Sequence, residues 1–440
     1  MTTFSDLNLC PPLQQAIEKA GYTTPTPIQA QAIPVVMAEQ DVLGCAQTGT
    51  GKTAAFLLPM LHRLHNAPKS KHIKTLILTP TRELAAQIGE NFATYAQFTN
   101  LKHLVIFGGV KQGSQVKALK RGVDVLVATP GRLLDLHGQG FISLDHTEFF
   151  VLDEADRMLD MGFLPDIKRL LKLLPTKRQN LLFSATMPKD IVQLASQFLT
   201  DPVRVEVDRE SSTVEQIEQL VLFVEQSNKK HLLKSLLDSE QIEATIVFTR
   251  TKHGANRVVK YLEKGGISAA AIHGNKSQNA RTRALDGFRE GSIKVLVATD
   301  IASRGIDVDR VSHVFNFDIP NIPESYVHRI GRTGRAGSTG QAIAFCSPDE
   351  ADYLVDIEKI IGKEVPDNRE HEWHFYPALE RVLVVREEEK RNKGNRPKAS
   401  KKGKKPTFRR QRNNRNDRNN RSNRNDDGPD HSGNRHRRRR

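Results

Sequence analysis

At 440 residues the chain is too long for one ordinary hydrophobic core, which predicts two globular domains with additional segments. No apolar run approaches the ~20 residues that a membrane helix needs, and the first residues lack the pattern of a signal peptide. Three scattered cysteines, Cys10, Cys45 and Cys346, argue against a disulfide framework or a zinc site. Together these features indicate a cytoplasmic protein. The net charge of +15 is confined to the C-terminal segment, because residues 390–440 hold 21 basic and 4 acidic side chains whereas residues 1–389 hold 45 and 47.

The N-terminal segment predicts two helices, at Pro12 to Ala20 and from Ile28 onward, separated by a turn at Gly21. A short apolar run, Asp41 to Cys45, follows and predicts a strand. The glycine-rich loop behind it, Ala46 to Thr53, leads into an apolar segment with helical spacing. We therefore expect a strand, a loop and a helix in direct succession.

The loop reads Ala46-Gln47-Thr48-Gly49-Thr50-Gly51-Lys52-Thr53, and its place between a strand and a helix is typical of a phosphate-binding P-loop. Glycines allow backbone N–H groups to point inward and form an anion-binding nest at the helix N-terminus. Lys52 can then reach the terminal phosphates of a nucleotide, and the Thr53 hydroxyl can coordinate Mg²⁺. A purely structural turn is the alternative, and Ala46 departs from the generic pattern, which opens with Gly. The flanking strand and helix favour phosphate binding.

Further apolar runs alternate with helical stretches, which predicts a parallel sheet covered by helices on both faces. The predicted strands are Thr75–Thr79, Leu104–Phe107, Val123–Thr129, Phe149–Leu152, Asn180–Ser184 and Val203–Val207. After a polar stretch at 208–216, a second series is predicted at Glu218–Val224, Ala244–Thr249, Ile267–Ile272, Lys294–Thr299, His313–Asp318 and Gln341–Cys346. The sequence Val-Leu-Val-Ala-Thr at 125–129 recurs at 295–299 and runs each time into a loop at a strand end, where open α/β sheets bind ligands.

We therefore predict an α/β protein with two doubly wound parallel-sheet domains, residues 1–207 and 217–366, joined by a linker at 208–216. The apolar patch in residues 367–389 indicates a short helix packed on the second domain. Residues 390–440 contain almost no apolar side chain and predict a disordered basic tail. Its spaced arginines suit non-specific, salt-sensitive binding of nucleic acid. A solubility role and a protein-docking role are alternatives.

The tetrapeptide Asp153-Glu154-Ala155-Asp156 follows the apolar run Phe149–Leu152. A buried strand that ends in acidic residues is where a P-loop fold holds Mg²⁺ and polarises the attacking water. Asp153 is the expected metal ligand, and Glu154 is placed to orient the water or take its proton. An acidic helix start favoured by the helix dipole is the alternative.

Together these motifs resemble those of the DEAD-box RNA helicases of superfamily 2, over residues 4 to about 365. The P-loop of that family opens with Ala, as this one does at Ala46, and the family is named after Asp-Glu-Ala-Asp, found here at 153–156. The chain is similar in particular to compact bacterial members with a basic tail. The resemblance implies two tandem RecA-like domains, ATP and Mg²⁺ as cofactors, and ATP hydrolysis stimulated by RNA.

The resemblance also implies nucleotide-binding residues, because Phe4 and the stretch Gly21 to Gln29 resemble the family's adenine-recognising motif. The residues expected to bind ATP are Phe4, Tyr22, Gln29, Thr48, Gly49, Thr50, Gly51, Lys52, Thr53 and Asp307. Those expected to bind Mg²⁺ are Thr53 and Asp153. Those expected to act in catalysis are Lys52, Asp153, Glu154, Arg332 and Arg335, the two arginines as fingers on the γ-phosphate.

Several short motifs at strand ends and helix starts resemble the family's contacts to the RNA backbone. The residues expected to bind RNA are Pro80, Thr81, Arg82, Gly109, Thr129, Pro130, Gly131, Arg132, Arg250, Gln278, Arg281, Thr299 and Arg304. Those expected to couple hydrolysis to unwinding are Asp156, Ser184, Thr186 and His328. For each motif alone helix capping is the alternative, and the Gln278 and Arg281 motif resembles either an RNA contact or a link between motifs.

The function implied by the resemblance is ATP-dependent unwinding or remodelling of structured RNA or ribonucleoprotein, through closure of a cleft between the domains. A clamp or RNA chaperone without useful turnover is one alternative, disfavoured by the presence of Lys52, Glu154, Arg332 and Arg335. A DNA translocase is another, disfavoured by the Asp-Glu-Ala-Asp motif and Gln29. RNA is the expected partner, ribosomal particles and RNA-decay proteins are candidates, and a monomer is expected.

Overall fold

Two parallel β-sheets organise the computed structural model, which describes residues 3–46, 49–207, 217–239, 242, 244–300, 311–334 and 340–394. The first sheet is built from residues 42–206 and the second from residues 217–346. Both belong to one compact unit that ends at Arg391. The predicted linker at 208–216 lies outside the described residues.

The strands of the first sheet are β1 (Val42–Cys45), β2 (Thr75–Leu78), β3 (His103–Ile106), β4 (Val125–Ala128), β5 (Phe149–Leu152), β6 (Gln179–Ser184) and β7 (Val203–Glu206). The helices around it are α1 (Pro11–Lys19), α2 (Pro27–Met37), α3 (Lys52–Asn66), α4 (Arg82–Tyr95), α5 (Gly113–Leu119), α6 (Pro130–Gly138), α7 (Ala155–Asp160), α8 (Leu164–Leu171) and α9 (Lys189–Ala195), with a 3₁₀ helix at Phe4–Leu7. The strand order is β3-β4-β2-β5-β6-β1-β7.

The strands of the second sheet are β8 (Ile217–Phe223), β9 (Thr245–Phe248), β10 (Ala269–Ile272), β11 (Val295–Ala298), β12 (His313–Asn316) and β13 (Gly340–Cys346). The helices are α10 (Lys229–Ser239), α11 (Lys252–Lys264), α12 (Gln278–Arg289), α13 (Pro323–Ile330), α14 (Ala351–Ile361) and α15 (Tyr376–Gly394), with a 3₁₀ helix at Pro348–Glu350. The strand order is β10-β11-β9-β12-β13-β8.

The two sheets have the same topology, which confirms the predicted fold class. Reading each order from its edge, β1 corresponds to β8, β2 to β9, β5 to β12 and β4 to β11, and β7 is an additional edge strand of the first sheet. All recorded strand pairs are parallel. The repeated Val-Leu-Val-Ala sequence forms β4 and β11, which occupy equivalent positions.

Apolar side chains on both faces of each sheet explain why these strands read as continuous hydrophobic runs. Every residue of β2, β4 and β5 is buried, as expected for a parallel sheet covered by helices on both sides. Separate buried clusters fill the two faces of each sheet. Because these strands are parallel, the carboxyl ends of β1, β5 and β6 lie at one edge of the first sheet, where polar side chains are tolerated.

The predicted helix after the second domain is α15, and it is longer than predicted. Its apolar residues pack with α13 and α14: Ala378, Leu379, Val382 and Val385. The predicted start of the disordered tail at residue 390 is wrong, because residues 390–394 continue α15. Ion pairs from Arg386 to Glu358 at 2.5 Å and from Lys390 to Glu364 at 3.4 Å hold this end of the helix. Residues from 395 onward lie outside the described residues.

Candidate functional site

The glycine-rich loop lies at the carboxyl end of β1, where the chain turns into α3. Gly49 and Gly51 have φ of +89° and +91°, a left-handed conformation that favours glycine. Lys52 opens α3, is buried, and donates a hydrogen bond from Nζ to the carbonyl oxygen of Ala46 at 2.7 Å. Thr53 follows in the first turn of α3 and is half-buried. The loop therefore curls around its own lysine at a helix N-terminus, as a phosphate-binding loop requires.

Gln29 is tied directly to this loop. Its Oε1 accepts from the backbone N–H of Thr26 at 2.9 Å and thereby caps α2. Its Nε2 donates to the carbonyl oxygen of Gly51 at 3.1 Å. A Cβ added at Gly51 would lie 2.3 Å from Gln29 Nε2, so this contact requires the glycine. Thr50 is half-buried beside it in the loop.

The two aromatic residues predicted near adenine differ in exposure. Phe4 is buried in the core of the first sheet. Tyr22 is 48% exposed, and its ring centroid lies 6.3 Å from that of Tyr95. Tyr22 therefore presents a ring to solvent, whereas Phe4 supports the segment by packing.

The acidic motif follows β5 and is buried. Asp153 Oδ1 accepts from the backbone N–H of Glu154 at 3.0 Å, and burial raises the pKa of Asp153 to about 7 although Lys52 opposes the shift. Glu154 is the N-cap residue of α7, with φ of +52°, and forms a buried ion pair with Arg157 at 2.6 Å. Burial alone would raise the pKa of Glu154, but Arg157, Lys52 and Arg332 hold it below its ordinary value. The pKa values of these two adjacent carboxyl groups are therefore shifted in opposite directions, and Glu154 is kept ionised.

Asp156 is held by the Ser184-Ala185-Thr186 segment at the end of β6. Its Oδ2 accepts from both the backbone N–H and the hydroxyl of Thr186, each at 3.0 Å. Ser184 Oγ accepts from the Asp156 backbone N–H at 3.2 Å and donates to the Thr186 carbonyl oxygen at 2.8 Å, so it does not contact the carboxylate. Burial opposes ionisation of Asp156, yet Lys52, Arg157 and His328 hold its pKa below the ordinary value. Three of the four predicted coupling residues therefore form one hydrogen-bonded group, and His328 acts on it by charge.

Helix α13 and the turn after it bring basic groups of the second half to the acidic motif. Arg332 is buried, and its Nε donates to the carbonyl oxygen of His328 at 3.3 Å. A small cavity is shared by Arg157 from α7 and by His328, Arg332 and Asp300 from the second half. Arg157 is also the ion-pair partner of Glu154, so the predicted arginine finger Arg332 lies close to the predicted catalytic carboxylate.

The predicted RNA contacts of the first half lie at strand ends and helix starts. Thr81 caps α4 by accepting from the Leu84 backbone N–H at 3.3 Å, and Pro80 precedes it. The Arg82 guanidinium packs on Gly109, where an added Cβ would lie 2.1 Å from Nη1.

Arg132 belongs to the helix start formed by Thr129, Pro130 and Gly131, of which Gly131 is exposed. Its guanidinium donates to Gln115 Oε1 at 2.9 Å and to the Val110 carbonyl oxygen at 3.1 Å. The side chain is therefore fixed in direction before any ligand binds.

Two of the predicted RNA contacts of the second half instead bind the first half. Arg281 forms a buried ion pair with Glu83 of α4 at 2.7 Å, and Gln278 Nε2 donates to the same carboxylate at 3.3 Å. The sequence left open whether the Gln278 and Arg281 motif contacts RNA or links other motifs. These contacts favour a linking role.

Arg250 is also engaged, since it donates to Glu350 Oε1 and to the Ile319 carbonyl oxygen, each at 3.0 Å. Thr299 follows β11, half-buried. Four predicted site residues lie outside the described residues: Thr48, Arg304, Asp307 and Arg335.

Comparisons with known proteins match both halves of the chain. The model of the DEAD/DEAH box helicase family matches residues 26–194, and that of the helicase conserved C-terminal domain matches residues 228–337. The DEAD-box ATP-dependent RNA helicase CshA of Bacillus subtilis is 46% identical over 381 residues, 87% of this chain and 76% of the relative. The ATP-dependent RNA helicase RhlB of Pseudomonas syringae is 44% identical, over 83% of this chain and 94% of the relative.

The chain belongs to the DEAD-box ATP-dependent RNA helicases. Solved structures of helicases share its architecture. S. cerevisiae Dbp5 bound to RNA and ADP BeF3 has a TM-score of 0.75 and 32% identity, covering 88% of this chain and 99% of the chain in that structure. Mss116p bound to ssRNA and AMP-PNP has a TM-score of 0.75 and 27% identity, covering 87% of this chain and 82% of that chain. As a member of this family the chain is an RNA-stimulated ATPase.

Sequence reasoning missed three buried side chains of this helicase. Arg157 pairs with Glu154, and the only signal available was a basic residue three positions after a carboxylate. Glu83 joins the halves but stands in the sequence as one more acidic residue of a helix start. Arg329 donates to both carboxylate oxygens of Asp300, at 2.6 and 2.8 Å, and so fixes the helix that carries His328.

No helix of the described chain is long and apolar enough to cross a membrane.

Proposed function

We propose that this helicase couples ATP binding and hydrolysis to local unwinding or remodelling of structured RNA or ribonucleoprotein. The observation that carries the proposal is the cavity that His328 and Arg332 of the second half share with Arg157 of the first half, because Arg157 is the ion-pair partner of Glu154. A site completed only when both halves meet allows RNA that contacts both halves to control hydrolysis.

For ATP we assign Lys52 and the loop backbone to the phosphates, with Thr48, Gly49, Thr50 and Gly51 shaping the loop. Binding of a phosphate would exchange the Ala46 carbonyl for a phosphate oxygen as the partner of Lys52. We assign the base to Gln29, Tyr22 and Phe4, and the ribose to Asp307. The contact of Gln29 with Gly51 supports this, since the adenine motif and the loop are already joined.

Mg²⁺ fits the oxygen ligands present in Asp153 and Thr53. A carboxylate and a hydroxyl are donors that this ion prefers, and a carboxylate buried as deeply as that of Asp153 is stabilised by a nearby cation. When bound, the ion held by Asp153 and Thr53 would neutralise negative charge on the phosphates. Glu154 would orient the attacking water and accept its proton, and Arg332 and Arg335 would stabilise the charge on the γ-phosphate.

For RNA we propose that the strand-end motifs hold phosphates, with Thr81, Arg82, Gly109 and Thr129 to Arg132 on the first half. Arg250, Thr299 and Arg304 would act on the second half. The fixed direction of the Arg132 guanidinium supports this proposal. Phosphate contacts position a strand without reading its sequence, so we expect tolerance of RNA sequence. Gln278 and Arg281, through Glu83, would connect the RNA-binding helix starts of the two halves.

The organisation into residues 1–207 and 217–366, with a linker at 208–216, is part of the same proposal. A monomeric, cytoplasmic enzyme is also proposed, supported by three unpaired cysteines, of which Cys10 and Cys346 are buried. Ribosomal particles and RNA-decay proteins are proposed partner classes.

The test is steady-state ATP hydrolysis without nucleic acid, with single-stranded RNA, and with DNA of the same sequence, followed by strand separation of a short RNA duplex. Stimulation by RNA alone, with ATP-dependent strand separation, is the expected result. Equal stimulation by DNA would contradict the RNA preference. Hydrolysis without strand separation would favour a clamp that binds RNA without remodelling it.

A further inference from the structure

An open groove with a volume of about 840 Å³ runs along α11 in the second half. One wall is a face of α11 with residues at helical spacing: Arg257, Lys260, Tyr261 and Lys264. The other wall is the segment from Glu225 to Lys230 that enters α10, and Phe317 and Asp318 after β12 line the end. None of the four wall residues on α11 belongs to the site described above.

The groove follows from a difference between two halves that share one topology. In the first half α1 and α2 pack against α3 and α4, the helices that follow β1 and β2. Helices α10 and α11 follow the equivalent strands, β8 and β9. No helix pair precedes β8 in the described part of the second half. The surface between α10 and α11 is therefore left open where its counterpart is covered.

The cations of the groove outnumber its anions, and the anions already have partners. Asp318 accepts from the Arg250 backbone N–H at 2.9 Å and from Gln226 Nε2 at 3.4 Å. Glu225 accepts from Asn228 Nδ2 at 3.5 Å. By contrast, the charged residues on the α11 wall are exposed and form no ion pair with another described residue: Arg257, Lys260 and Lys264. A ligand here meets uncompensated positive charge.

Among the described residues, the groove offers a protein partner no large exposed apolar side chain to pack against. The exposed large apolar residues of the described chain lie outside it. The Tyr261 hydroxyl is bonded to His231 at 2.8 Å, and Lys230 Nζ lies 5.6 Å from the centre of the Tyr261 ring. Protein interfaces draw most of their energy from buried aromatic and apolar anchors, whereas a nucleic-acid strand is held mainly through its phosphates.

We propose that the groove binds a single strand of RNA by its phosphates, as a continuation of the path past Arg250 and Thr251. Both of these residues line the groove, and Arg250 is also a proposed RNA contact. The inference rests on the proposed RNA-binding function. Helix α11 has 13 residues and is about 20 Å long, so the groove lengthens the RNA footprint beyond the strand-end motifs.

The test uses the full chain with Arg257→Glu, Lys260→Glu and Lys264→Glu combined. A matched control carries Lys168→Glu, Arg169→Glu and Lys172→Glu, the same charge change on exposed positions of α8 and the residue after it. The basic tail is identical in both. Affinity is measured for RNAs of about 6 and about 20 nucleotides over a salt series. A neutral variant, with glutamine at the three groove positions, covers the case in which charge reversal impairs folding.

The expected result is a loss of about 10- to 100-fold in affinity for the longer RNA in the groove variant, with a salt slope smaller by about 2, the value for three lost phosphate contacts on a single strand. Affinity for the short RNA and hydrolysis at saturating RNA should match the control. Equal affinity of groove variant and control for the longer RNA would overturn the proposal. Binding of polyglutamate that is lost in the groove variant, with RNA affinity unchanged, would overturn it in favour of an acidic protein partner. Absence of RNA-stimulated hydrolysis in the wild type would instead count against the proposed function. The two failures are distinguishable because RNA affinity tests the groove and ATP hydrolysis tests the proposed function.

Discussion

The two halves of this helicase place a lysine at the same topological position and use it differently. Lys52 follows β1 and opens α3, and Lys229 follows the equivalent strand β8 and opens α10. Lys52 contacts a backbone carbonyl oxygen in a loop shaped by glycines. Lys229 is fully buried, with its Nζ 2.5 Å from Glu350 and 3.8 Å from Asp318.

This difference shows that the fold supplies the position and the neighbours decide the chemistry. A lysine paired with the buried carboxylate of Glu350 and close to the half-buried carboxylate of Asp318 is not available to a phosphate, and breaking a buried ion pair is costly. Lys52 instead donates to a neutral carbonyl oxygen, a partner that a phosphate oxygen can replace. One sheet can therefore hold a nucleotide while its counterpart supplies arginines.

The largest expected effects separate the two lysines. Lys52→Ala should lower kcat/KM for ATP by about 10³-fold, because a charge that acts on the phosphates is lost. Lys229→Ala should leave the buried Glu350 with Arg250 as its remaining ion-pair partner and lower the free energy of unfolding by about 3 kcal/mol, with little change in kcat for the folded fraction. ATPase assays and denaturant unfolding of both variants measure this. A similar loss of ATPase per folded molecule in both would break the comparison.

Glu154→Gln should reduce kcat by about 10²-fold, since the amide cannot accept the proton of the attacking water. ATP-dependent RNA binding should persist, and a long-lived complex should form. Single-turnover hydrolysis and RNA release are the measurements. The control is Glu148→Gln, a partly exposed carboxylate paired with Lys74. Turnover at the wild-type rate in Glu154→Gln would remove this residue from its proposed role.

Loss of the link between the halves should have an intermediate effect. Arg281→Gln and Glu83→Gln should each raise the RNA concentration for half-maximal ATPase by about tenfold, because either change breaks the buried ion pair that joins the halves. The double variant should lose less than the sum of the single losses. Additive losses would mean that the ion pair does not couple RNA binding to hydrolysis.

The smallest expected effect concerns pH and the segment that leads into α15. Burial lowers the pKa of His371 and of His374 in the folded chain, so both are held neutral there. The unfolded chain takes up protons first as the pH falls below about 6.5, and stability should decrease in that range. We expect Tm to fall by about 2 °C more between pH 7 and pH 5.5 in the wild type than in His371→Asn combined with His374→Asn. An identical pH dependence in both proteins would contradict the assignment.

Local patterns in the sequence predict the fold well because buried parallel strands are continuous apolar runs. The prediction for β5 matches the structure at both ends, and the repeated sequence of β4 and β11 correctly indicates two copies of one fold. The motifs around Lys52 and Asp153 were likewise found from their place after a strand. Family membership, once suspected, is confirmed by the comparisons.

Contacts between residues far apart in the chain could not be predicted in this way. The pairs Arg281–Glu83 and Lys229–Glu350 depend on how helices and loops meet after folding. The end of α15 was missed for a similar reason, since ion pairs across to Glu358 and Glu364 hold residues whose own composition resembles a tail.

The edge strand β7 has a mechanical consequence for the molecule. It pairs with β1 in parallel from Val203 to Glu206, and Val207, the last described residue before 208–216, donates its backbone N–H to the Cys45 carbonyl oxygen at 3.1 Å. A displacement of the chain at Val207 would therefore act on Cys45 through this hydrogen bond and on the rest of β1 through the strand pairing. In this way β7 connects the chain that leads towards the second half to the strand that leads into the P-loop.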